Sequence, residues 1–325
     1  MIDIFYLIVG TLILLLVMYD FFFTTLSGSG SAFITRFLSL ISYRILQVGV
    51  KLIGRRVFAL SGMIVNLIVL SGWVVLVWIG LFMLFSYTPE AIVNDNGKIA
   101  NATERIYFTG YTLSTLGLGN FKPVSPFYEI LTSCFSFFGF VFFTTSMTYL
   151  VSVSSAVIHK RSLALSIRNL GNSPEEIVNN LLEKDTSFCY QKFSVLQEMI
   201  DRHTVNHQAY PVLHYYGNAD ISSSFNLHLA SLDEAISKLL SSLQAQKFHN
   251  ELMPLRSSLT HFLKHMQQNY PQTIKQFNIS QDNLPEIGEM SVEFPENHIK
   301  LYERRKILGG LLRNENFVWE DVYSN

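Results

Sequence analysis

Charge is scarce in this sequence: Asp, Glu, Lys and Arg make up 15% of its 325 residues, against about a quarter in an ordinary globular chain. The shortfall falls on one half. Residues 1–159 hold 8 Lys or Arg and 6 Asp or Glu, whereas residues 160–325 hold 16 and 19. A membrane-embedded half joined to a soluble half accounts for this split, and the formal net charge of −1 averages two different solvents. The slightly acidic second half speaks against a nucleic-acid partner. Cysteine is nearly absent. Cys134 lies in an apolar stretch and Cys189 in the polar half, so no disulfide framework is expected and both read as small buried or free thiols. Nor does the chain carry a G-x-G-x-x-G after a strand pattern, a Walker loop, a zinc-ligand spacing or a nucleophile constellation. Those absences point away from an enzyme and from any bound cofactor.

Three stretches are long enough to cross a bilayer, which takes about 20 apolar residues. They are Ile4 to Leu26, broken by Asp20; Met63 to Tyr87, without a charge; and Pro126 to Ile158, with Glu129 near its start. The first has only Asp3 ahead of its apolar run and no A-x-A site after it, so it is expected to stay as a span and not to be cleaved as a signal peptide. Lys and Arg set the orientation. Arg36, Arg44, Lys51, Arg55 and Arg56 follow the first span with no acid among them, and Lys160 and Arg161 follow the third. Both places are expected on the cytoplasmic side of a cell membrane. The loop 88–125, where Lys98, Arg105 and Lys122 mix with Glu90, Asp95 and Glu104, is expected outside, together with the N-terminus.

Within residues 32–56, Arg36, Arg44, Lys51 and Arg55 fall at about 0°, 80°, 60° and 100° on a helical wheel. Phe37, Ile41, Ile45, Leu46, Val50 and Ile53 are among the apolar remainder. The pattern predicts a helix lying in the interface, its cations near anionic headgroups. A voltage sensor would need a cation at every third position through a span, which these spacings do not provide. Asp20 is the one acid inside a span. It is expected to pair with Arg36 or Arg44 of the following helix, a role in gating or ion binding being the sharper alternative.

The loop between the second and third spans is where the chemistry concentrates. Asn101 followed by Glu104 marks a helix start, and residues 102–114 make about three turns, too short to span a bilayer but suited to a re-entrant half-helix. The alternation Thr115, Gly117, Gly119 then calls for an unusual extended backbone that glycine permits. Thr112-Leu113-Ser114-Thr115-Leu116-Gly117-Leu118-Gly119 resembles the pore signature of potassium channels in order and spacing. Leu118 at the usual aromatic position is similar to the second pore loop of some animal two-pore-domain potassium channels. The resemblance covers roughly residues 60–158.

That resemblance implies a selectivity filter at Thr115, Leu116, Gly117, Leu118 and Gly119, whose carbonyls, with the Thr115 hydroxyl, replace the water of a potassium ion. It also implies four copies of the chain around one axis. Irregular backbone cannot face lipid, so one such loop per chain requires several chains. Three positions depart from the family pattern and bear on support of the filter. Leu118 removes an aromatic hydroxyl that often braces it, Asn120 replaces an acid, and Tyr111 sits where some relatives bury a carboxylate. Ser114 belongs to the hydroxyl-rich approach. Gly139, 20 residues after Gly119, is a possible hinge of the pore-lining helix, close packing being the other explanation.

The remaining half reads as helical. Ser173-Pro174-Glu175-Glu176 is a helix start, and Leu232, Ile236, Leu239, Leu240 and Leu243, then Leu255, Leu259, Phe262, Leu263 and Met266, suggest an antiparallel helical hairpin. His261 and His265 could face one metal but are too few to hold it and are expected to be solvated, and the histidines of this half could make gating pH-sensitive. Arg304-Arg305-Lys306 is expected on a solvated helix face, a site for an anionic ligand being the alternative.

The sequence therefore predicts an all-α membrane protein with three transmembrane helices, a re-entrant pore helix and a helical cytoplasmic domain. Residues 1–59 carry the first span and interfacial helix, 60–158 the pore domain, and 159–325 the cytoplasmic domain. The expected function is a homotetrameric potassium-selective channel with no cofactor and no metal beyond permeant potassium ions. Its expected partners are anionic lipids and an unknown cytoplasmic ligand or protein. A non-selective cation channel, and a membrane-anchored signalling or assembly protein with a non-conducting pore, are the alternatives.

Overall fold

The computed structural model describes residues 2–54, 56–218, 220, 223–271, 274 and 300–324. Its helices begin with α1 (Ile2–Leu26), α2 (Phe33–Ile53), α3 (Arg56–Leu84) and α4 (Ala102–Leu113), followed by α5 (Pro126–Arg168). Of these, α1, α2, α3 and α5 are long and apolar enough to cross a membrane, and the chain is an all-α, multi-pass membrane protein. Among the described residues the candidate spans number four by length and composition, where the sequence predicts three spans and an interfacial helix. The addition is α2, the least apolar of them, whose cations argue for the interface while its length satisfies a span.

The chain divides into two compact units: residues 1–48, 63–154 and 209–212, and residues 49–62, 155–208 and 213–325. The first unit is built on α1, α3, α4 and most of α5, around Trp73, Phe21, Leu81, Phe85 and Phe108. Its α2 turns small hydroxyl residues inward. Thr35, Ser39 and Ser42 are buried, while Phe33, Phe37, Ile45 and Val48 are exposed beside Arg36 and Arg44. Large apolar side chains facing out and small ones facing in is the packing rule of membrane helices. Of the expected basic stripe, Lys51 and Arg55 lie outside the residues whose side chains are described, as does Ile53 of the apolar remainder.

Asp20 corrects an expectation. It is buried but pairs with neither Arg36 nor Arg44, nor with any other cation among the described residues. Its carboxylate accepts from the Ile34 and Thr35 amides at 2.8 and 3.1 Å, from the Thr35 hydroxyl at 2.5 Å and from the Trp73 indole at 2.8 Å. The first amides of α2 lack partners within their own helix and carry its positive dipole end, so a carboxylate there is stabilised without a counter-cation.

The second unit holds α6 (Pro174–Leu182), α7 (Thr186–Ala209), α8 (Phe225–Ser241), α9 (His249–Asn269) and α10 (Leu301–Asn314), with the C-terminal part of α5. Ser173 caps α6 by accepting from the Glu176 amide, with proline in the first turn, as its sequence predicts. The two leucine-rich stretches become α8 and α9, which pack together. The central helix is α8, buried nearly all round and in contact with α6, α9 and α10. Even its acids are enclosed, so each requires a partner. Arg304 donates to both Asp233 oxygens, joined by Arg256 at 3.1 Å, and Arg305 makes a bidentate pair with Glu234 at 2.7 and 2.8 Å. Arg304 and Arg305 are therefore buried, against the expectation of a solvated face. Part of the domain expected over 159–325 lies outside the described residues.

Candidate ion-conduction site

The half-helix α4 starts on reciprocal hydrogen bonds. The Glu104 amide donates to the Asn101 side chain at 3.0 Å, and the Asn101 amide to the Glu104 carboxylate at 2.7 Å. This capping box satisfies two amides that the first turn leaves without partners. Phe108 and Tyr111 fill the inward face against Phe85 and each other. Trp78 on α3 donates to the Ile106 carbonyl at 2.9 Å and the Thr109 hydroxyl at 3.1 Å.

Arg105 anchors the same helix and is missed by reading it as one charge in a mixed loop. It is 7% exposed, and its guanidinium donates to the main-chain carbonyls of Phe85, Thr88, Pro89 and Ala100. Five fixed donors suit it to collecting carbonyls where α3 ends. The available signal was spacing: Arg105, Phe108, Thr109 and Thr112 fall at i, i+3, i+4 and i+7, the buried face of a helix.

At its other end α4 closes in a Schellman motif. The Thr115 amide donates to the Thr112 carbonyl at 3.1 Å and the Leu116 amide to the Tyr111 carbonyl at 3.0 Å. The residue that turns this motif is usually glycine, because it sits at positive φ. Here it is Thr115, at φ 61°, a conformation that strains a β-branched residue by about 1–3 kcal/mol. Positive φ then recurs at every second position, at Gly117 (58°) and Gly119 (78°). In an ordinary strand successive carbonyls point to opposite sides; reversing φ at alternate residues counters that alternation and favours one side.

Residues 114–120 are all exposed in the single chain, Leu116 by 64% and Leu118 by 50%. The segment is held from its ends. β1 (Ile92–Asn94) and β2 (Phe121–Pro123) pair antiparallel, Ile92 opposite Pro123 and Asn94 opposite Phe121, so the chain leaving the segment is tied to the chain entering α4. Behind it, the Tyr111 hydroxyl donates to the Phe121 carbonyl at 3.0 Å. Ser114 caps α4 and its hydroxyl donates to the Tyr111 carbonyl at 3.1 Å, while Asn120 is exposed at the bend before β2. Gly139 lies inside the unbroken α5, and a Cβ there would overlap the Leu113 carbonyl oxygen. It marks the point where α5 passes against the end of α4. Thr115 to Gly119, Tyr111, Ser114, Asn120 and Gly139 thus gather at one end of α4.

Among the described residues, no group of three or more His, Cys, Asp or Glu side chains is placed to hold a metal. The partners on offer are main-chain oxygens and the negative end of the α4 dipole, which suit a weakly held monovalent cation more than a resident one.

Residues 63–155 match the family described as "Ion channel". The chain is also 31% identical over 322 residues to the uncharacterized membrane protein YdjJ of Bacillus subtilis (strain 168), covering 95% of this chain and 93% of that one. No solved structure matches the chain.

Proposed function

This chain belongs to the ion channel family, and on that premise we propose that it is one subunit of a homotetrameric potassium channel whose selectivity filter is Thr115 to Gly119. The observation that carries the proposal is positive φ at Thr115, Gly117 and Gly119 in a segment that the described residues of its own chain leave exposed. At membrane depth such backbone is tolerated only when other protein or a water-filled space surrounds it. Further copies of the same loop supply both, and carbonyls from four chains form the oxygen rings that replace an ion's water. The exposed hydroxyls of Thr144 and Thr148 on α5 donate to Phe140 and Thr144 carbonyls within their own helix, so that face can border either water or a neighbouring chain.

The proposed setting is a plasma membrane with the second unit in the cytoplasm, the N-terminus outside and anionic lipids beside Arg36 and Arg44. The second unit assembles or gates the pore in response to a cytoplasmic ligand or protein. Cysteines placed at Ser29 and at Gly54 distinguish the topologies: labelling of both from one side keeps α2 in the interface, and labelling from opposite sides makes it a fourth span.

Purified protein in liposomes tests conduction. Potassium flux is expected, with reversal potentials following the potassium and not the sodium gradient, and Gly117→Ala is expected to abolish it. Equal sodium and potassium permeability would favour a non-selective cation channel. Tetramers that pass no ion under any stimulus would favour a signalling or assembly role.

A further inference from the structure

Four histidines meet inside the second unit, and among the described residues the charged side chains that act on them are basic. His203 and His207 lie one turn apart on α7, His214 follows in the 3-10 turn Pro211–Tyr215, and His265 comes from α9. His207 Nδ1 stands 3.3 Å from His265 Nε2, and the His207 ring centroid is 5.7 Å from that of His214 and 5.9 Å from that of His203. His203 is 1% exposed, and among the described residues neither of its ring nitrogens has a hydrogen-bond partner. Phe225 of α8 and Phe262 of α9 pack against it, and Tyr270 stacks on His214 at 4.0 Å. From α5 comes Lys160, buried, its ammonium donating to the Tyr216 carbonyl at 2.7 Å and lying 5.7 Å from the centre of the Phe225 ring.

The groups whose charge bears on these four rings are Lys160 and His159 of α5, His261 of α9 and the rings themselves. Every one is a cation or becomes one. After α10, Glu315 acts on Lys160 and accepts from the Ser224 hydroxyl at 2.5 Å, while Asn314, 3.4 Å from His214 Nε2, is neutral. Among the described residues no acid acts on these rings, so a proton arriving here gains a charge in a place where an unpaired charge is expensive.

We propose that this cluster is a proton-binding site of the second unit, through which acidification loosens the packing of α7 on α8 and α9 beside Lys160 of α5. Burial first, and the neighbouring basic groups second, hold His203 and His207 well below the ordinary imidazole range and His214 down to about 3. The sign follows. A ring whose pKa is depressed in the folded unit binds its proton more readily in an opened one, so stability is whole above the unfolded value of 6.5 and is lost as pH falls below it. Because α5 runs unbroken from Pro126 to Arg168, an effect on its C-terminal part is placed on the helix that also passes Leu113. That consequence for conduction rests on the channel reading.

Hydrogen exchange on the full chain in lipid nanodiscs, corrected for the intrinsic effect of pH, tests the site without needing conduction. Between pH 7.5 and 5.0, exchange in α7 and α9 is expected to rise about tenfold or more, one pKa unit of differential proton affinity being a factor of ten. His203→Phe with His214→Phe keeps two flat rings and removes two protonation sites, and should cut that rise severalfold. Should this variant not fold, Lys160→Met serves instead, since removing the fixed cation should also shrink the acid effect. Exchange that does not change with pH, or that rises equally in the wild type and whichever variant folds, overturns the site. Acid opening of α7 and α9 in a chain that passes no ions upholds the site and overturns only the conduction reading.

Discussion

The Tyr111 hydroxyl donates to the Phe121 carbonyl across 3.0 Å, joining α4 to the strand that leaves the proposed filter. A support expected to be missing, because Leu118 carries no hydroxyl, is supplied by a tyrosine on the helix behind. Tyr111→Phe keeps the ring contacts with Phe108 and Tyr107 and removes one hydrogen bond, worth about 1 kcal/mol. Folding and assembly should survive. Potassium currents should persist but decay faster during sustained activation, which voltage-clamped bilayers would record.

Thr115 occupies a left-handed position at φ 61° that glycine fills without strain. Thr115→Gly should leave thermal stability unchanged or raise it by about 1 kcal/mol through relief of that strain. If the hydroxyl contributes to the innermost oxygen ring, the same substitution lowers the preference for potassium over sodium. Reversal potentials in mixed gradients measure this, and unaltered selectivity would remove the side chain from the site.

At Gly139 a methyl group would meet the Leu113 main-chain oxygen, which cannot rotate away as a side chain could. Gly139→Ala should cost about 1–3 kcal/mol by overpacking and displace the end of α4 from which the filter emerges. Gly49→Ala on α2 is the matched control. Among the described residues nothing lies within 4 Å of its added methyl, and alanine should stabilise a helix interior by up to about 1 kcal/mol. Thermal unfolding in detergent and liposome flux should separate the two.

Asp20 accepts from two amides, a hydroxyl and an indole, all in the first unit. Asp20→Ala would leave buried donors without partners, at about 1–3 kcal/mol for each one not reached by water. Asp20→Asn should recover part of the loss. Reversing the charge of Arg36 or Arg44 together with Asp20 should show no rescue, since neither arginine is its partner; coupling above about 0.5 kcal/mol in a double-mutant cycle would contradict the geometry.

Asp233 is the hub of the ion pairs in the second unit. Burial alone would push its carboxyl up, but Arg304 and Arg256 overcome this and hold it below the ordinary range. Its contribution to stability is therefore present above the unfolded value of 3.8 and is lost as pH falls through the lower folded value. That window lies beneath the one expected of the histidine cluster. Asp233→Ala should destabilise the unit by about 3–5 kcal/mol, because it strands two buried guanidinium groups. Urea unfolding at pH 7, followed by circular dichroism, is the measurement.

The features legible in the sequence are those written over short distances along the chain. The capping box of Asn101 and Glu104, the proline-led start of α6 and the leucine periodicity of α8 and α9 each involve residues within a turn or two of one another. The glycines at 117 and 119 are an equally local signal of unusual backbone, whereas the positive φ of Thr115 is not legible from a β-branched residue type. Arg305 was harder. A charged residue three or four positions from Leu301 and Leu308 looks the same on a solvated helix as on one whose inward face meets Glu234, and only the packing of α10 on α8 distinguishes the two.

By itself the amino-acid order determined that this protein has membrane helices, a short capped helix between two of them, and a glycine-permitted segment after it. Local hydrogen bonding and the cost of placing apolar side chains in water suffice for that. The tertiary structure decided the partners of the expensive groups: helix amides and Trp73 for Asp20, carbonyls at the end of α3 for Arg105, Asp233 and Glu234 for the arginines of α10. Residue type states what burial of a charge costs, but the group that offsets it lies 53 positions away for Trp73 and Asp20 and 71 for Arg304 and Asp233. Only the packing of whole helices brings such residues within hydrogen-bond distance.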